Sequence, residues 1–171
     1  MAYLEKNHLQ VTHILLTHGH FDQIGAVARL KEATGAAVCI SAEDEPMLSD
    51  AHLNLSEAFG EPVRGFSADV LVADGEMLQT PVADFRVIAT PGHTPGGVCY
   101  LCGDTLFSGD TLFAGSVGRT DFPGGDAETL RRSVQEKLFP LEGYLEVFPG
   151  HGGATTLLRE RIENPFVGLG E

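Results

Sequence analysis

Thr17-His18-Gly19-His20-Phe21-Asp22-Gln23 stands directly behind the apolar run Val11-Thr12-His13-Ile14-Leu15-Leu16. Such a run reads as a buried strand whose C-terminal end delivers two imidazoles and a carboxylate together, donor types that hold divalent metals. Three further loops add one candidate donor each: Thr90-Pro91-Gly92-His93-Thr94, Phe107-Ser108-Gly109-Asp110-Thr111 and Phe148-Pro149-Gly150-His151-Gly152. Each follows a strand-like stretch and is flanked by glycine, which lets backbone pass close to an ion. Four loops thus point to one chemistry.

Outward from these loops the pattern is mixed α and β. Ile24 to Thr34 reads as a helix with Ile24, Val27 and Leu30 on one face, closed by Gly35. Ala36 to Ile40 reads as a strand, and Ser41 with Asp44 three residues on resembles a capping box that starts another helix. His52 to Gly65 reads as loop or short helix. From Asp69 the period changes to two, through Asp69 to Val72, Phe85 to Ala89, and Val98 to Cys102 with Thr105 to Ser108, the last two joined by a Gly103-Asp104 hairpin. Asp126 caps a helix running to about Phe139, with Leu130, Val134 and Leu138 as its buried stripe. A final strand, Leu145 to Phe148, delivers His151, and a helix from Thr155 or Thr156 ends at Asn164-Pro165.

The chain of 171 residues reads as a single domain, 1–171, with 43% hydrophobic residues and no stretch approaching a membrane span. Its first ten residues hold no apolar signal core, and three cysteines make an odd number, so the expectation is a cytoplasmic protein. Acidic residues outnumber basic ones 24 to 11, a net charge of −13. Phosphate backbones are bound by Lys and Arg displacing counterions, so nucleic acid is an unfavoured partner and a small molecule the expected one.

His18-Gly19-His20-Phe21-Asp22, Pro91-Gly92-His93-Thr94-Pro95-Gly96, Ser108-Gly109-Asp110-Thr111-Leu112-Phe113, Gly118 to Gly125 and Pro149-Gly150-His151-Gly152 together resemble the metallo-β-lactamase-fold hydrolases, most closely their short glyoxalase-II-like branch. The resemblance runs over essentially the whole chain. It implies an α+β fold, an αββα four-layer sandwich with a metal site at one edge between two sheets. It also implies that His18, His20 and His93 hold a first ion, that Asp22 and His151 help to hold a second, and that Asp110 bridges the two.

Two departures bear on that expectation. The family motif normally ends Asp-His, whereas Asp22 is followed by Gln23, and an amide oxygen is a poorer donor than imidazole for zinc-like ions. Gln23 reads either as a weak ligand or as an amide bonded to a neighbouring loop. Relatives also carry strands and a helix before the His-x-His strand, and Met1 to Asn7 looks like the tail of that helix. The expectation is a fold lacking its first strands, with an exposed apolar edge that a second chain covers in a homodimer or larger assembly.

Imidazoles and carboxylates without thiolate suit Zn²⁺, with Fe²⁺ or Mn²⁺ as alternatives. The expectation is one tightly held ion and a weaker second. Paired ions share a water whose pKa falls toward about 7, so hydroxide is the nucleophile, with Asp22 and Asp110 as the carboxylates at the reacting centre. The expected reaction is hydrolysis of a small ester, thioester or lactone. The alternatives are phosphotriester hydrolysis, a mononuclear iron persulfide dioxygenase, or a non-catalytic metal-binding remnant.

Other residues read as structural. His8, His13 and His52 lack ligand context. Cys99 and Cys102 fall in one strand, where positions three apart face opposite sides, so they read as buried small side chains rather than a redox or zinc pair. Gly118-Arg119-Thr120-Asp121 reads as a turn held by an Arg119–Asp121 contact. The family resemblance places it near the site mouth and makes Arg119 a substrate or supporting contact.

Overall fold

Alternating side chains along the central strands sort into layers. The computed structural model describes every residue except Glu61, Arg64 and Glu171. Strands β1 (His13–Leu15), β2 (Ala37–Ser41) and β3 (Val70–Val72) form a parallel sheet in the order β1-β2-β3. Six strands form the second sheet: β4 (Met77–Gln79), β5 (Asp84–Ala89), β6 (Val98–Cys102), β7 (Thr105–Gly109), β10 (Glu146–Pro149) and β11 (Thr155–Thr156). Its order is β11-β10-β7-β6-β5-β4, antiparallel except where β10 lies parallel to β7. Between β7 and β10 the chain makes a small hairpin of β8 (Leu112–Phe113) and β9 (Ser116–Val117).

The helices are α1 (Ala2–Lys6), α2 (Phe21–Ile24), α3 (Val27–Thr34), α4 (Ser56–Phe59), α5 (Ala127–Arg132) and α6 (Leu157–Glu163). On β2, Val38 and Ile40 pack with Leu16, Ile24, Val27 and Leu48 on the helical side, while Cys39 packs with Val72, Leu78, Val87, Val98 and Tyr100 between the sheets. On the other sheet, Ile88 and Cys99 turn outward to Val134, Leu138 and Leu157. Two-residue periodicity on both sheets therefore yields helix, sheet, sheet, helix. Each fully buried Leu or Val contributes roughly 1.5–3 kcal/mol to holding these layers.

Several expectations are corrected. The apolar run 11–16 becomes a strand of three residues, and His13, Ile14 and Leu15 are only half-buried, because β1 has β2 as its sole strand neighbour among the described residues. The helix expected over Ile24 to Thr34 is broken at Gly25-Ala26 into α2 and α3, since glycine weakens a helix interior. Gly35 does close α3, at φ 70°. Ser41 accepts the Asp44 N–H at 3.3 Å, but Asp44 does not reach back to complete a box; a 3₁₀ turn, Glu45–Leu48, follows. The strand read from Asp69 forms as β3 in the first sheet. Between His52 and Gly65 the chain forms α4; Glu61 and Arg64 of that stretch lie outside the described residues.

The hairpin at Gly103-Asp104 forms as read. Asp126 caps α5 by accepting the Thr129 N–H at 2.7 Å, and the helix continues through a π-type turn, Ser133–Leu138. Thr156 caps α6. Beside β1 the sheets leave an apolar groove of about 530 Å³, lined by Ile14, Leu16, Val27, Phe85, Tyr100 and Phe107 among others.

Candidate metal centre

Loop-bearing strand ends from both sheets meet at one edge. The end of β1 is tied to the second sheet by the Tyr100 phenol, which donates to the Leu16 carbonyl at 3.0 Å, and by Val98 N–H, which donates to the Thr17 carbonyl at 2.8 Å. These bonds set His18 and His20 facing His93, which the loop after β5 supplies. The three rings stand edge-on to one another with centroids 4.7–5.0 Å apart. All three are buried.

Hydrogen bonds leave nitrogens pointing inward. His93 Nδ1 is 2.7 Å from the Arg119 carbonyl oxygen, which can only accept, so Nδ1 carries the proton and Nε2 presents its lone pair. That Nε2 lies 2.9 Å from His20 Nδ1. His18 Nδ1 contacts Thr17 Oγ1 at 3.2 Å. His18 Nε2, His20 Nε2 and Asp110 Oδ1 are buried with no hydrogen-bond partner. Orphaned buried donors and acceptors are costly unless something else satisfies them, and a divalent cation fits this set.

Burial lowers the His18 pKa well below 6.5 and, with repulsion from His93, holds His20 down to about 4. Both are therefore neutral and able to donate lone pairs at physiological pH.

A second set lies beside the first. Asp22, Asp110 and His151 each offer an atom within 4.8 Å of the others. His151 Nε2 is 2.9 Å from Asp22 Oδ2 and 3.4 Å from Asp110 Oδ2, and that same Asp110 oxygen is 3.6 Å from His93 Nε2. Asp110 thus stands between the two sets, where a bridging carboxylate would sit. Burial pushes its pKa up. The first set is closed off, whereas the His151 side chain is 55% exposed and Asp22 33%, so the second faces solvent.

Gln23 lies beside the second set. Its Nε2 donates to Asp22 Oδ2 at 3.1 Å, and its side chain borders the apolar groove rather than the site cavity. That cavity, about 400 Å³, is lined by five of the candidate ligands together with Phe21, Leu55, Phe113, Ser116, Val117, Arg119 and Phe122. Arg119 is spent in a bidentate pair with Asp121 at 2.6 and 2.7 Å and lies 3.9 Å over the Phe122 ring.

The family model of the metallo-beta-lactamase superfamily matches residues 1–151. The chain belongs to that superfamily. It is 38% identical over 168 residues to hydroxyacylglutathione hydrolase GloC of Haemophilus influenzae, covering 96% of this chain and 79% of that protein. It is similar to the crystal structure of the B3 metallo-beta-lactamase BLEG-1, with 39% identity and a TM-score of 0.93 over 97% of this chain and 81% of the other. A second similar structure, TTHA1623 in a di-iron-bound form, gives 38% identity and a TM-score of 0.85 over 96% of this chain and 82% of the other. The layers described above are those of the metallo-β-lactamase fold.

Within the superfamily frame, some site residues were not foreseen. Leu55 lines the cavity at φ 70°, a left-handed position unusual for leucine, and Phe59 of α4 stacks on Phe21 at 5.0 Å. No spacing in the sequence signals either. Cys99 is buried against Thr90 and its thiol is pushed up to about 11, while Cys102 is half-buried; both are free. His8 and His52 are exposed and His13 half-buried, all outside the site.

Proposed function

We propose that this metallo-hydrolase-family chain cleaves a small ester, thioester or lactone whose acyl group is uncharged. The observation that carries this reading is the pair of donor sets, with Asp110 of the second standing 3.6 Å from His93 of the first, on the wall of an apolar, aromatic cavity. His18, His20 and His93 would hold one zinc-like ion tightly, iron being the alternative. Asp22, Asp110 and His151 would hold a second more weakly, because Gln23 supports Asp22 instead of adding an imidazole. Such ions supply Lewis-acid polarisation and activated water at neutral pH.

The chain's own groups do the rest. Asp110, in the second set and next to His93 of the first, would orient whatever lies between them. Phe21, Leu55, Phe113, Val117 and Phe122 exclude water from one side and accept an apolar acyl group. Arg119 is the only cation among the described lining residues, and Asp121 already neutralises it. A substrate with several carboxylates would find no unpaired cation on these walls.

The test is metal content after purification without chelator, followed by thioester, lactone and phosphotriester assays with and without chelation. Chelator-sensitive hydrolysis of neutral acyl thioesters or lactones is expected. Hydrolysis of phosphotriesters alone, oxygen uptake with a persulfide, or no turnover at all would overturn the reading.

A further inference from the structure

Asp44 is wholly buried, yet it belongs to neither donor set. Its carboxylate takes three hydrogen bonds: from Gly19 N–H at 3.2 Å and Thr94 Oγ1 at 2.7 Å to Oδ2, and from Gly96 N–H at 2.7 Å to Oδ1. Gly19 lies between His18 and His20, and Thr94 follows His93. One side chain therefore grips both loops that deliver the three buried imidazoles.

The close fit is visible at the glycines. A Cβ on Gly96 would come within 2.7 Å of Asp44 Oδ1, and one on Gly19 within 2.5 Å of Met47 Cβ in the turn that follows Asp44. These glycines let the loops settle on the Asp44–Met47 segment.

An ionised carboxylate buried without a cationic partner is costly, and the three partners here are neutral donors. Three neutral imidazoles bring no negative charge to a divalent cation, which Asp110 alone would face from the site side. We propose that Asp44 is a positioning residue for the first metal site: it locks His18, His20 and His93 into mutual register and supplies negative charge behind them. The proposal rests on the reading that those histidines hold an ion.

The experiment compares zinc affinity, by chelator competition, in the wild type and in Asp44→Asn and Thr94→Val, with metal-free melting and circular dichroism as folding controls. Asp44→Asn keeps the size, removes the charge and turns one accepting oxygen into an NH2 that faces a donor, and its folded form is expected to bind the first zinc roughly 10–100-fold more weakly. Thr94→Val keeps the charge but removes one of the three bonds, so a smaller loss in the same direction is expected. A purely structural Asp44 would lower metal-free stability and leave the affinity of the folded protein unchanged, and that result overturns the proposal. If Asp44→Asn does not fold, unchanged affinity in Thr94→Val does so. A wild type that binds no zinc or iron instead removes the reading of the three histidines.

Discussion

His93 and Arg119 are joined by one bond, from the imidazole Nδ1 to the main-chain carbonyl at 2.7 Å, and it dictates what the ring can do. Because the carbonyl fixes the proton on Nδ1, Nε2 is left as a lone-pair donor aimed at His20 and Asp110. The Arg119 side chain matters less to the centre than its backbone, since the guanidinium points to Asp121.

Gly118→Ala tests that arrangement. A Cβ at 118 would collide with the Asp110 carbonyl and stand 3.2 Å from His93 Nδ1. Neither backbone has room to yield, so the variant is expected to lose both tight metal binding and about 1–3 kcal/mol of stability. Metal analysis and thermal melting check this; wild-type metal content would count against the placement of the Arg119 carbonyl.

Asp110→Ala should separate function from stability. Its Oδ1 is buried without a partner, so the metal-free protein loses little by its removal. The expected result is a metal-free melting temperature within about 4 °C of wild type, with second-ion binding abolished and turnover down by roughly 10²-fold or more. Retained second-ion binding would show that Asp22 and His151 suffice alone.

Gln23→His should add an imidazole beside Asp22. Tightening of the second ion on the order of tenfold, about 1.4 kcal/mol, is expected by calorimetric titration. Unchanged affinity would mean that the backbone at 23 directs its side chain toward the groove whatever its identity.

Acid should weaken the metal-free fold in a defined window. The folded His18 and His20 refuse protons that the unfolded chain accepts near pH 6.5. Stability is therefore complete above about 6.5 and falls as pH drops toward about 4, His20 alone accounting for on the order of 3 kcal/mol. Asp121, held near 2 by Arg119, titrates below this window. Melts of chelator-treated protein from pH 7.5 to 4.5 would show the decline. A flat profile would indicate that the histidines are already solvated in the metal-free state.

The chemistry of the centre was legible in the sequence because strand-end loops carry their donors in short local patterns. His18 and His20 are two residues apart, and His93, Asp110 and His151 each sit in a glycine-flanked loop after a strand. Cys99 is buried as read, while Cys102 at the strand end is half-buried. Local pattern also located Gly35 and Asp126 as helix ends, since caps depend on neighbouring residues alone.

Tertiary structure decided what depends on distant partners. Asp44 looked like a capping residue, and only the meeting of loops 25 and 52 positions away shows it gripping the histidine loops. Gln23 reads as a weak ligand or as an amide bonded to a neighbouring loop; its amide is found donating to Asp22, an arrangement that the sequence order of the two residues does not dictate. The cavity walls at Leu55, Phe113 and Phe122 come from three separated segments, and no periodicity links them. Sheet membership of β3 followed the burial of Val72 against Val87 and Val98, an energetic preference of the assembled layers that residues 69–72 do not encode by themselves.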